Sequence, residues 1–176
     1  MFILDEGTRV VVPRTELTYP GHNMKLHTNA ASPEKTPVDH VMADLEDACP
    51  YEFKGDKSRA TMVEALNTLD FGKKVITVRP NNLRSEFFRG DMEAVLSGAV
   101  DKFHGIIIPK CNGPEDVKLV SDTLDELEAK HGWKTKLAIE AAEDAAVEAT
   151  TVAATEASMG PVGWALLAFD AISIIT

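Results

Sequence analysis

One run, GIIIPK at residues 105–110, limits what this chain can become more than any other. Three consecutive isoleucines leave no face of a strand for water, so such a strand must be covered on both sides. Sheets covered on both faces are typically parallel, because each return crossing carries a helix over a face.

The rest of the chain keeps to that scheme. RTELTYPGH (14–22), DHVMADLED (39–47), KKVITVRPNN (73–82), TKLAIE (135–140) and GWALLAFD (163–170) predict further strands. KSRATMVEALNTLD (57–70) sets Met62, Val63, Leu66 and Leu69 at helical spacing, with Gly72 as a stop. SEFFRGDMEAVLSG (85–98) predicts a helix in which Gly90 is a weak point. PEDVKLVSDTLDELEAKHG (114–132) opens on Pro with acids in its first turn, stacks Val117, Val120, Leu124 and Leu127, and ends at Gly132. An Ala-rich stretch, 141–158, is a further candidate helix, and NAASPEKTPVDH (29–40) reads as a loop. Strand and helix alternate at about 25–35 residues per unit, the pattern of βαβ units on a parallel sheet. No low-complexity linker divides residues 1–176, so one α/β domain is predicted.

Composition removes several function classes. A net charge of −10 disfavours a phosphate-backbone partner, so no nucleic acid is expected. Two cysteines, Cys49 and Cys111, make no disulfide framework, which points to a reducing, cytoplasmic compartment. The start, MFILDEGTRV, lacks the basic and long apolar regions of a secretory signal. The closing stretch, MGPVGWALLAFDAISIIT, is shorter than the about 20 residues that span a bilayer and contains Asp170, so it reads as a buried strand rather than a membrane anchor.

The strand ends carry the chemistry. Asp44, Glu46 and Asp47 close one strand, Arg79 and Asn81 the next, then Lys110, then Glu140, and Asp170 a further one. In parallel α/β folds the carboxyl ends of strands share one edge, and that edge holds the site. Each charge taken singly could equally cap its strand in solvent or pair with a neighbour. The five histidines show no zinc-ligand spacing, and no glycine-rich phosphate loop is present. His22, Cys49 and Cys111 sit at strand ends, where they either touch a ligand or pack.

DLEDACP, VRPNN, IIIPKCNGPEDV and LAIE, in that order, resemble motifs of the citrate lyase β-subunit/malyl-CoA lyase family, the HpcH/HpaI aldolases. RTELTYPGHNMK resembles the family's first strand and loop, and the likeness covers about residues 13–140, leaving 141–176 as an uncertain tail. The resemblance implies a TIM (β/α)8-barrel-like fold, here with about six βα units, since the chain falls short of the ~250 residues of a full barrel. It implies an oligomer, trimer or hexamer, that uses Mg²⁺ to cleave or form a carbon–carbon bond between an acyl-CoA and a small 2-oxo acid. By resemblance Glu140 is a metal ligand, and Asp170, thirty positions on, is a second. Arg79 would clamp the substrate carboxylate, Glu46 would hold metal-bound water or that arginine, and Asp47 would orient the network. Arg14 and Lys25 would approach the CoA phosphates, and Lys110 would face the site or form a structural ion pair. Oxygen ligands without Cys or His favour Mg²⁺ over Zn²⁺. The alternative is a non-catalytic barrel fragment serving as an assembly or interaction subunit.

Overall fold

A computed structural model describes residues 13–133, 137–142 and 166–167. The elements follow the predicted alternation: β1 (Glu16–Pro20), α1 (Met24–Ala31), β2 (His40–Asp44), α2 (Asp56–Thr68), β3 (Val75–Arg79), α3 (Phe88–Ala99), β4 (Gly105–Ile108), α4 (Pro114–His131), β5 (Ala138–Ala141) and β6 (Leu166–Leu167). The six strands form one sheet in chain order, every neighbouring pair parallel. A doubly wound sheet reverses its strand order at a switch point. This one does not reverse, and residues of all four helices join the core built on one face of the sheet. The sheet is open: among the described residues β1 and β6 do not pair with each other.

Period-two alternation sorts the strands into two faces. Val41, Ala43, Ile76, Val78, Ile106, Ile108 and Ile139 pack toward the helices, against Met62, Leu66, Met92, Leu96, Val120, Leu124 and Leu127. The other face carries His40, Met42, Asp44, Thr77, Arg79, Ile107 and Glu140. β2 and β4 are buried at every position; β4 is apolar throughout, as burial on both faces requires, whereas β2 also buries His40 and Asp44 at its two ends.

Helix α1 falls where the sequence reads as strand end and loop. Asn23 caps it, its side chain accepting from the amides of Lys25 and Leu26. Its buried stripe includes a histidine: His27 Nδ1 meets the Tyr19 hydroxyl at 2.9 Å and Nε2 the Gly21 carbonyl at 2.9 Å. A polar residue in a core position hides the helical period from a hydrophobicity reading. The Lys74 ammonium closes the far end of this helix, donating to the carbonyls of Ala30, Ser32 and Thr36.

Gly90 is a point of clearance rather than of weakness. A β-carbon there would lie 2.5 Å from the Arg59 guanidinium, which crosses over α3 to reach Asp91. The Ala-rich segment also departs from expectation at its start: Ala141 belongs to β5, and the Ala142 amide continues the ladder to the Ile108 carbonyl. Residues 143–158 of that candidate helix lie outside the described residues, as does Asp170.

Candidate functional site

Strand register places the predicted residues in one layer. Asp44 is the register partner of Arg79, and Ile107 that of Glu140. Thr77, Gly105 and Ala138 align across β3, β4 and β5, each two residues before Arg79, Ile107 and Glu140. Residues two apart on a strand share a face, so Asp44, Arg79 and Glu140 share one level of the face turned away from the helices. At about 4.8 Å per strand, the Arg79 and Glu140 backbones stand roughly 10 Å apart.

Asp44 is the hub of this layer. Fully buried, its Oδ1 accepts from the Glu46 amide at 2.7 Å and Arg79 Nε at 2.9 Å; its Oδ2 accepts from the Ala48 amide at 2.8 Å and Arg79 Nη2 at 2.6 Å. The carboxylate thus caps its own turn and grips the guanidinium fork. The sequence reading paired Arg79 with Glu46. In the fold Glu46 Oε2 stands 4.0 Å from Arg79 Nε, and Asp44 holds the bidentate position. The hydrogen bonds that Arg79 donates to Asp44 hold its guanidinium pKa above the usual range.

Glu46 and Asp47 share a cation from another strand end. Lys110 Nζ lies 2.7 Å from Glu46 Oε1 and 2.9 Å from Asp47 Oδ1. Those bonds raise the Lys110 ammonium and hold the Asp47 carboxyl below the ordinary range. Lys110 adopts φ +49°, a left-handed conformation that costs a residue with a β-carbon roughly 1–2 kcal/mol. Such strain persists where the surroundings enforce it, and here two carboxylates do. Of the two outcomes weighed for Lys110, the ion pair is formed, with both acids of the turn after β2. Glu46 Oε2 is buried and has no hydrogen-bond partner among the described residues.

Glu140 is half-buried, and burial, followed by the nearby Glu16 charge, pushes its carboxyl upward. Among the described residues no three His, Cys, Asp or Glu side chains cluster as a ready metal cage. Arg14 belongs elsewhere. It precedes β1, at the amino edge of the sheet, and its exposed guanidinium pairs with Asp39 at 3.0 Å. Sequence proximity to the first strand could not tell which end of that strand faces the site. Lys25 is exposed in the first turn of α1, on the carboxyl side. His22 stacks on Phe53 with ring centroids 4.7 Å apart, and Cys49 and Cys111 are buried. A cavity of about 310 Å³ lined by Val38, Asp39, Phe71 and Lys74 lies at the amino edge and contains none of the strand-end residues.

These features define a parallel α/β protein with an acid–cation cluster at the carboxyl ends of adjacent strands. The chain belongs to the HpcH/HpaI aldolase/citrate lyase family, which it matches over residues 14–161. It is 32% identical over 123 residues to a malyl-CoA/β-methylmalyl-CoA/citramalyl-CoA lyase of Chloroflexus aurantiacus, covering 70% of this chain and 35% of that protein. An L-malyl-CoA/β-methylmalyl-CoA lyase of Cereibacter sphaeroides is 34% identical over 68% of this chain and 36% of its own length. A citrate lyase subunit β of Leuconostoc mesenteroides subsp. cremoris is 34% identical over 50% of this chain and 28% of its own. The chain thus spans little more than a third of the curated relatives it matches. In fold it is similar to Haloferax volcanii malate synthase, solved as a magnesium/glyoxylate complex, with TM-score 0.63 and 23% identity over 73% of this chain and 42% of that one. No helix among the described residues is long and apolar enough to cross a membrane.

Proposed function

We propose that this chain carries the metal- and 2-oxo-acid-binding part of a CoA-linked carbon–carbon lyase, built on a (β/α)8-type barrel. The observation that carries the reading is the Arg79 fork, fixed by Asp44 in the same strand layer as Glu140. Family membership and the names of the relatives support the reaction type. A reducing, cytoplasmic setting and a trimer or hexamer belong to the same proposal.

The donor chemistry fits a hard divalent cation. Glu140 offers oxygen in a half-buried place where its charge is disfavoured, so a cation beside it would relieve that cost. Mg²⁺ is commonly held by one or two carboxylates with water and substrate oxygens completing the shell. Glu140 would be one ligand and Asp170 the other. The bound ion would supply Lewis-acid polarisation of the 2-oxo acid.

The chain's own residues do the rest. Asp44 takes Nε and Nη2 of Arg79, leaving Nη1 without a hydrogen-bond partner among the described residues and able to meet a substrate carboxylate. Lys110 adds positive potential at the rim while neutralising Glu46 and Asp47. Glu46 Oε2 remains an acceptor for a donor that arrives with the ligand, water or a substrate hydroxyl. Lys25 is the exposed cation on the carboxyl side that suits a CoA phosphate. Isothermal titration of the full chain with glyoxylate or oxaloacetate in Mg²⁺ tests the proposal. Binding that Arg79→Ala and Glu140→Ala each abolish is expected; no binding, or binding indifferent to both changes, overturns it in favour of an assembly role.

A further inference from the structure

We propose that Lys54 is a positioning residue, whose ammonium holds the acid turn after β2 against the loop after β3 and so aims the Glu46 carboxylate. This rests on the reading of Glu46 as a ligand-facing group.

The geometry is that of a turn gripped from two sides. Asp44 collects its amides, those of Glu46 and Ala48. Lys54 Nζ collects its carbonyls, donating to Leu45 O at 3.1 Å and Glu46 O at 2.7 Å, and also to Asn81 Oδ1. Leu45 and Glu46 are both buried, so no solvent replaces the ammonium if it is removed. A single turn of 3₁₀ helix, Tyr51–Phe53, and Gly55 at φ +88° bend the chain so that Lys54 reaches back onto residues eight and nine positions earlier.

The third acceptor is itself held. The Asn81 amide and Nδ2 donate to Asp91 Oδ2 at 2.9 and 2.6 Å, and Asp91 Oδ1 accepts from Arg59 Nε at 2.8 Å. Arg59 Nη2 in turn donates to the Phe87 carbonyl at 3.0 Å. A run of fixed polar groups therefore reaches from α2 and α3 to the acid turn, and Lys54 is its last member. Its partners are the main-chain carbonyls of Leu45 and Glu46 and the Asn81 side chain, not the Glu46 carboxylate, which leaves Oε1 for Lys110 and Oε2 open. Lys54 acts through the turn.

The test compares the full chain with Lys54→Met, which keeps the stem and removes the ammonium. The first readout is the ¹⁵N–¹H cross-peak of the Lys110 ammonium, which reports whether Glu46 and Asp47 still hold it and which a general loss of stability would not move. It is expected to disappear in the variant, and amide exchange at Glu46 and Ala48 to quicken by about tenfold or more, while Val41, Ile76 and Ile106 keep their protection. An unchanged Lys110 signal overturns the proposal. The second readout is glyoxylate affinity in Mg²⁺, expected to fall about tenfold; equal affinity in variant and wild type also overturns it. If the wild type binds no glyoxylate, the proposed function fails, and the Lys110 signal alone still decides on Lys54. Should Lys54→Met fail to fold, Asn81→Ala removes one acceptor, and the same Lys110 readout confirms by weakening or refutes by staying unchanged.

Discussion

Asp44 and Arg79 are register partners on adjacent parallel strands and at the same time a bidentate ion pair, with Nη2 2.6 Å from Oδ2. The strand pairing and the charge pairing enforce each other, and every further contact of the site builds on them. Removing either partner leaves the other as a charge in the sheet interior. Arg79→Met or Asp44→Leu alone should therefore cost about 3–5 kcal/mol, and the double change clearly less than their sum. Urea unfolding of the four proteins measures it, and strict additivity would refute a coupled pair.

Glu140 makes stability depend on pH in a direction unusual for a carboxylate. Its folded pKa is raised, so it favours the folded state fully below its ordinary value, and that contribution is lost as pH rises through the folded one. Relative to Glu140→Gln, the metal-free wild type should lose melting temperature as pH rises above the ordinary glutamate range. Mg²⁺ should narrow the gap by favouring the ionised form. A difference independent of pH would contradict this account.

Lys110→Gly separates backbone strain from charge. Glycine accepts φ +49° without the steric cost but leaves the buried Glu46 carboxylate without its cation, so the variant should be less stable than wild type by about 1–3 kcal/mol, less than the loss of that partner alone would cost. The Asp47 carboxyl, however, should return upward toward its ordinary value. Its depressed pKa contributes stability above the ordinary value that is lost as pH falls through the folded one, so the variant should have a shallower acid limb. Carboxyl NMR titration checks the first point and acid melts the second.

Gly90→Ala should destabilise the protein, although alanine is the better helix former by about 1 kcal/mol. The new β-carbon would press on a guanidinium pinned by Asp91, Asp56 and the Phe87 carbonyl, and displacing it should cost about 1–3 kcal/mol. A variant more stable than wild type would mean that Arg59 swings aside freely.

Apolar runs such as GIIIPK and the helical stripe of 114–132 were legible in the chain itself, because burial on two faces and a 3.6-residue period leave marks on local composition. They predicted a parallel sheet with polar groups at the strand ends, and the order of DLEDACP, VRPNN and LAIE pointed to the family. Helix α1 escaped that reading because His27, buried on its inner side by bonds to Tyr19 and Gly21, takes a place that hydrophobic periodicity counts as polar.

Which charges meet was decided only by packing. Asp44, Glu46 and Asp47 are nearly equivalent in the linear chain, yet register gives Asp44 to Arg79, while the chain's turn hands Glu46 and Asp47 to Lys110, more than sixty residues away. Arg14 looks like a site cation until β1 is laid in the sheet, where it falls at the amino edge beside Asp39. Lys54 carries no signal in the linear chain; only the fold closes two buried carbonyls on it. Local composition reports whether a residue is buried and on which period. Pairing between charges depends on distances set by strands far apart in the chain, and those distances exist only once the sheet has formed.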